Sequence, residues 1–310
     1  MRFLLLFLLS FNAAAQSFPT KPVRLVVPFP PGGATDIIGR MVAAKMQEVW
    51  GQSVIVENKP GAGTVVGTDA VAKSAPDGYT LGMVVTAHVI NPALRQSMPY
   101  DTLKDLAAVT QVSVQQLVVA AHPSLEANTI AELVALAKRN PGKLSYATPG
   151  SGTAMHLSVE LLKTATGIDI VHVPYKGGAP AQQDVMGGRV PILLDVLYAA
   201  QPIINSGKVK VLAVLGPQRT TQYPIVAETI PGVSALSIVG IVAPAGVPPN
   251  IVSKISADMA KAIRSSDLTE RMTQMGMEPV GSTPAEFDAL IRTEIEKWAR
   301  VVKASGAKVD

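Results

Sequence analysis

The chain has 310 residues, a formal net charge of +4 and no cysteine. The lack of cysteine excludes disulfides, thiolate catalysis and cysteine-bound metal, and no run of Lys or Arg is dense enough for a nucleic-acid surface. The mild basicity reads as an ordinary surface, or as weak help in attracting anions.

The N-terminus carries Arg2, an apolar run from Phe3 to Phe11 and Ala13-Ala14-Ala15 before Gln16. That order reads as a secretory signal peptide over residues 1–15, and the run is too short to anchor the chain across a bilayer. The mature chain is then expected from residue 16 onward, periplasmic and without a cysteine to carry a lipid anchor.

From Pro22 onward, short β-branched runs alternate with helical periods, which predicts an α/β chain long enough for two lobes. The strand candidates are 23–29, 53–58, 80–86, 117–121, 144–148, 170–174, 190–195 and 209–215. Helix starts carry capping boxes at Thr129 with Glu132 and at Thr283 with Glu286; the second precedes an apolar stripe of Phe287, Leu290, Ile291, Ile295, Trp298 and Val302. Both are scaffolding. With residues 1–15 removed, only Phe18, Phe29 and Phe287 remain of the phenylalanines. Stacking platforms for a sugar or base are therefore scarce, which favours a small polar ligand.

Gly and Pro concentrate where strands end: Pro30-Pro31-Gly32-Gly33, Lys59 to Gly63, Thr148 to Gly152 and Tyr175 to Pro180. Ligands of open α/β sheets bind outside the carboxyl ends of strands. In Phe29 to Asp36, proline presets φ and glycine permits positive φ, which makes a fixed turn with outward amides. Thr35 or Asp36 is then expected to cap the adjoining helix, whose start favours an anion. Asp36 can serve the helix dipole or brace the loop through backbone amides, and Asp195 can face a cleft or cap the next element of the chain.

Rival chemistries fare worse. The stretch Gly61 to Gly67 nearly matches a dinucleotide fingerprint, but has one residue too many before its third glycine and no acidic ribose partner near Leu81. A tight turn with close helix–sheet packing at Gly67 explains it better. Pro149 and Thr153 stand where a nucleophile elbow around Ser151 needs glycine. His88, His122, His156 and His172 lack metal-ligand spacing. No catalytic residue, metal or cofactor is expected.

Five segments carry a resemblance: FPPGGATDIIGR, VENKPGAGTVVGTDAVAKSAPDGYTL, ATPGSGTAMHLSVELL, VPYKGGAPAQQDVMGG and the closing EIEKWARVVKASG. Together they resemble the solute-binding receptors of tripartite tricarboxylate transporters, the Bug family, over nearly the whole mature chain. The resemblance implies a two-lobed, type II periplasmic-binding-protein-like fold, each lobe a mixed sheet flanked by helices. Lobe 1 would hold residues 16–115 and 241–310, and lobe 2 residues 116–240, with hinge strands near Val112 to Ala121 and Leu236 to Ala243. It implies a monomer that captures a mono- or dicarboxylate and delivers it to large and small membrane permease subunits, with no nucleic-acid partner. A carboxylate receptor signalling to a membrane sensor and a nucleotide-dependent enzyme are the alternatives.

Carried over by position, the resemblance implies a first ligand loop at Gly33, Ala34, Thr35 and Asp36. A second falls at Gly63 and Thr64, and a third at Thr86, Ala87 and His88. The opposing lobe supplies Thr148, Ser151, Gly152, Thr153, His156 and Asp195. Ile238-Val239-Gly240 lacks the aromatic pair that often precedes the glycine in that family, and Pro191 to Leu194 is less polar than its usual counterpart, which bears on the far end of the pocket.

Overall fold

The computed structural model describes residues 18–217 and 222–309, so the expected signal segment lies outside the described residues. In chain order the elements are β1 (Val23–Val27), α1 (Ala34–Trp50), β2 (Val54–Asn58), a 3-10 turn (Ala62–Thr64), α2 (Val65–Ala72), β3 (Thr80–Val85) and α3 (Ala87–Leu94). Next come β4 (Leu106–Ala121), α4 (Ile130–Arg139), β5 (Ser145–Thr148), α5 (Ala154–Thr166), β6 (Val171–Pro174), α6 (Gly178–Met186), β7 (Ile192–Val196), α7 (Leu197–Asn205), β8 (Lys210–Val214) and α8 (Val226–Thr229). The chain closes with β9 (Leu236–Pro244), α9 (Pro249–Ile263), α10 (Ser266–Gln274), β10 (Met277–Pro279) and α11 (Pro284–Ser305).

The chain forms a mixed α/β fold of two lobes, each built on its own sheet. In the first sheet, β1 pairs parallel with β2 and β3, and β9 lies antiparallel between β3 and β4. In the second, β5 pairs parallel with β6 and β7, while β4 lies antiparallel between β7 and β8. A single strand therefore belongs to both sheets: β4 pairs with β9 from Leu106 to Gln116 and with β7 from Leu117 to Ala121.

The first half of β4 and the short β10 are not among the strands expected from the residue pattern. Thr110, Gln111, Ser113 and Gln115 break its apolar rhythm, yet all four are buried. Partners elsewhere satisfy some of these groups. Thr110 Oγ1 donates to the Ser282 carbonyl at 2.7 Å, and the Gln111 amide donates to Ser282 Oγ at 2.9 Å.

α11 packs on α3, on β4 and on α5, so it touches both lobes, and it sets Trp298 and Phe287 fully inside the core. Its capping box is complete: Thr283 Oγ1 accepts from the Glu286 amide, and Glu286 Oε2 accepts from the Thr283 amide. At α4 only half of the expected box forms. Thr129 Oγ1 accepts from the Glu132 amide, but the Glu132 carboxylate takes the amide of Asn128. At Gly67 an added Cβ would sit 2.8 Å from the Lys59 carbonyl and 3.0 Å from Pro28, so that glycine lets α2 lie directly on the chain leaving β1.

Candidate ligand-binding cleft

The loops after β1, β3, β5, β6 and β7 meet around a cleft of about 550 Å³, with Gln115 of β4 and Ser237 of β9 also on its wall. That size suits a small molecule. All five strands offer their carboxyl ends, as expected of open α/β sheets.

One wall is the turn before α1. Gly32 has φ +80°, and Gly33, in extended conformation, is the N-cap of the helix. The expectation that Thr35 or Asp36 caps this helix is corrected: it begins at Ala34, so both residues already lie in its first turn. The first intrahelical bond runs from the Ile37 amide to the Gly33 carbonyl, which leaves the amides of Ala34, Thr35 and Asp36 without an intrahelical acceptor. Gly33, Ala34 and Thr35 line the cleft.

Asp36 sits behind that wall, 2 % exposed. Its carboxylate accepts from the Gly32 amide at 2.8 Å, Arg40 Nε at 2.9 Å and Asn58 Nδ2 at 2.8 Å. Asn58 Nδ2 also donates to the Phe29 carbonyl, so the carboxylate ties both ends of the turn to β2. Burial works to raise the carboxyl pKa, but the bonds from Arg40, Gly32 and Asn58 outweigh it and hold the group below its ordinary value.

The opposite wall is the start of α5. Thr153 is the N-cap; its Oγ1 accepts from the His156 amide at 3.3 Å and donates to the Gly150 carbonyl at 2.8 Å. Ala154 and Met155 keep amides without intrahelical acceptors, and both residues line the cleft with Thr153. Two helix starts from different lobes thus present amide donors to one space, with positive dipole ends toward it.

Behind this wall His156 joins a ring stack with His172 and Tyr146, and Thr148 contacts it. The ring of His156 lies 4.1 Å from that of His172, nearly parallel, and His172 stacks in turn on Tyr146 at 4.9 Å. His156 Nδ1 accepts from the Gly152 amide, and Thr148 Oγ1 lies 2.7 Å from His172 Nε2. Burial lowers the pKa of both imidazoles, that of His172 to about 3, so the stack is neutral at pH 7.

Gly63, Ser151 and Gly152 are brought together beside the cleft, where the lobes touch. A Cβ on Gly63 would stand 3.2 Å from the Ser151 carbonyl, and one on Gly152 3.1 Å from Leu94. Asn91 Nδ2 donates to the Gly63 carbonyl at 2.9 Å on the same seam. Thr64 is buried at φ +81° as the N-cap of α2. Thr86 does line the cleft, and its hydroxyl accepts from the Ile238 amide at 3.0 Å. Ala87 and His88 continue from it into the core; neither ring nitrogen of His88 has a hydrogen-bond partner among the described residues, and burial lowers its pKa to about 4.

Asp195 stands in the cleft wall, 2 % exposed. Oδ2 accepts from Gln182 Nε2 and Oδ1 from the Val196 amide, each at 2.8 Å. Burial, opposed by those two bonds, raises its pKa to about 6. Gln182, Lys176 and Tyr198 also line the cleft and were not singled out from the sequence. Lys176 and Gln182 lie in or beside the Tyr175 to Pro180 loop, which its glycines mark. Tyr198 sits in an apolar helix stretch that offers no such mark. Among the described lining residues, Lys176 and Asp195 are the only charged side chains, so an anion here would meet amides, hydroxyls and one lysine, with no arginine. Among the described residues, no group of three or more His, Asp or Glu is placed to hold a metal, and no helix is long and apolar enough to cross a membrane.

Two lobes, a shared strand and a cleft edged by helix starts are the architecture of a solute-binding protein. The family model described as "Tripartite tricarboxylate transporter family receptor" matches residues 38–307, and the chain belongs to that family. Protein BugT of Bordetella pertussis is 36% identical over 302 residues, covering 96% of this chain and 93% of BugT. Among solved structures, R. palustris Rpa4515 with adipate superposes with TM-score 0.90 at 34% identity, covering 94% of this chain and 100% of that one. MatC from Rhodopseudomonas palustris with bound malate gives TM-score 0.86 at 30% identity, covering 92% and 100%.

Proposed function

We propose that this chain captures a small mono- or dicarboxylic acid between its lobes and delivers it to the membrane permease of a tripartite tricarboxylate transporter. The observation that carries the reading is the pair of facing helix starts, α1 with Gly33, Ala34 and Thr35, and α5 with Thr153, Ala154 and Met155. Free amides at both can hold a carboxylate, and the positive dipole ends favour it without an arginine. The structures with adipate and malate support this chemistry by likeness.

In this reading lobe 1 comprises residues 16–115 and 241–310 and lobe 2 residues 116–240, the chain is exported by residues 1–15, and it works as a monomer. Thr86 and Asp195 complete the ligand wall. Asp36, Thr64, Ala87, His88, Thr148 and His156 support it from behind, and Gly63, Ser151 and Gly152 form the seam on which the lobes close.

The test is a thermal-shift screen of residues 16–310, stripped of carried ligand by partial unfolding, against mono- and dicarboxylates, amino acids and nucleotides. An acid at about 100 times its dissociation constant adds about 2.7 kcal/mol and raises Tm by several degrees. Shifts with nucleotides alone would refute the reading.

A further inference from the structure

The carboxylate cradle accounts for one end of a ligand, and the wall contributed by β7 and α7 shows what the other end must be. The hydroxyl of Tyr198 is buried and has no hydrogen-bond partner among the described residues, although Tyr198 lines the cleft. A buried hydroxyl left unpaired is costly, and a ligand group entering beside it from the cleft would answer it. The carboxylate of Asp195 faces the same space, buried, with two of its roughly four acceptor positions filled by Gln182 and the Val196 amide and no cation paired with it among the described residues. With a pKa of about 6 it is ionised at pH 7.5.

We infer that Asp195 and Tyr198 form a distal subsite for a hydroxyl or primary carboxamide, so that the preferred ligand is a monocarboxylic acid bearing such a group at its far end. The inference rests on the proposed capture of an organic acid and deepens it. A hydroxyl donates to Asp195 and accepts from Tyr198, and an amide does the same with its nitrogen and oxygen. An ionised second carboxylate only accepts: it answers Tyr198 but lies against another negative charge. A terminal methyl leaves both protein groups unpaired.

Isothermal titration of the stripped protein at pH 7.5 tests this with two series of matched length. One is hexanoate, 6-hydroxyhexanoate, adipate and adipic acid monoamide. The other is butyrate, 4-hydroxybutyrate, succinate and succinamate. In at least one series the hydroxy or amide acid should bind about tenfold or more tighter than both the plain acid and the dicarboxylate, because a site built to bond a hydroxyl penalises ligands that lack it. Tyr198→Phe should reduce the hydroxy-to-plain ratio by about fivefold. Asp195→Asn, which replaces an acceptor-only group by one that donates, should raise dicarboxylate affinity relative to the hydroxy acid. A wild-type protein that binds a dicarboxylate tightest, or ratios that neither variant moves, would overturn the subsite while leaving acid capture in place. If none of the eight acids binds, acid capture itself falls, and this inference with it.

Discussion

Replacing Asp36 by alanine removes the acceptor that holds the Pro30 to Gly33 turn against β2. Three donors lose it: the Gly32 amide, Asn58 Nδ2 and Arg40 Nε. Hydrogen bonds to a charged group contribute about 1.5–3 kcal/mol each. Gly32 is exposed and its amide turns to water in the variant, while Asn58 keeps the Phe29 carbonyl, so the low end applies to each. The half-exposed Arg40 guanidinium is assigned nothing. The expected loss is about 3 kcal/mol, read from urea unfolding at pH 7 with an unchanged m value. Asp36→Asn should lose nearly as much, because its amide nitrogen would face the Gly32 N–H and Arg40. In both variants the turn loosens at the cleft, so acid affinity should fall as well. The sign with pH comes from the lowered carboxyl pKa. Stability from Asp36 is present above the ordinary aspartate value of 3.8 and is lost as pH falls below it, so the gap between wild type and Asp36→Asn should shrink below about pH 4. A loss under about 0.5 kcal/mol with unchanged affinity would refute the bracing role.

Three further outcomes are expected. Gly240→Ala should cost about 1–3 kcal/mol in urea unfolding, because its Cβ would overlap the buried Phe287 ring, and adding Phe287→Leu should recover part of that; purely additive losses would contradict the contact. Thr153→Ala should lower stability by about 0.5–2 kcal/mol through loss of the α5 cap and weaken acid binding on the same wall; unchanged stability would mean the cap bond contributes nothing. His172, whose pKa burial lowers from 6.5 to about 3, contributes stability that is full above pH 6.5 and is lost as pH falls from there toward 3. His172→Phe should therefore flatten the decline in unfolding free energy between pH 7 and pH 5, and an identical slope in the two proteins would speak against it.

Strands β1, β2, β5 and β6 were legible because each is a short run closed by Pro at its end or within two residues of it, and the Gly and Pro of the loops after β1, β5 and β6 marked the cleft for the same reason: positive φ and close approach need those residues. The first half of β4 was not legible, since Thr110, Gln111, Ser113 and Gln115 look like a surface until distant partners such as Ser282 are known. Asp36 shows the same limit. Its sequence position allowed a dipole role or a brace, and only the distances to Gly32, Asn58 and Arg40 separate them. Tyr198 was invisible because a buried helix residue without a partner looks, in sequence, like any other aromatic in an apolar stretch.

The position of β9 also dictates a timetable. It lies between β3 and β4 in the first sheet, yet its residues come after the whole of β5 to β8. A chain made from its N-terminus can pair β1, β2 and β3 early, but the gap between β3 and β4 stays open until residue 244 is available, and α11 comes later still. Lobe 2 can therefore be complete before lobe 1, although β1, β2 and β3 precede all its strands. Such long-range closure slows folding, and it exposes the β3 edge meanwhile. A premature stop between α8 and β9 leaves no half receptor, only a finished second lobe joined to an unfinished first.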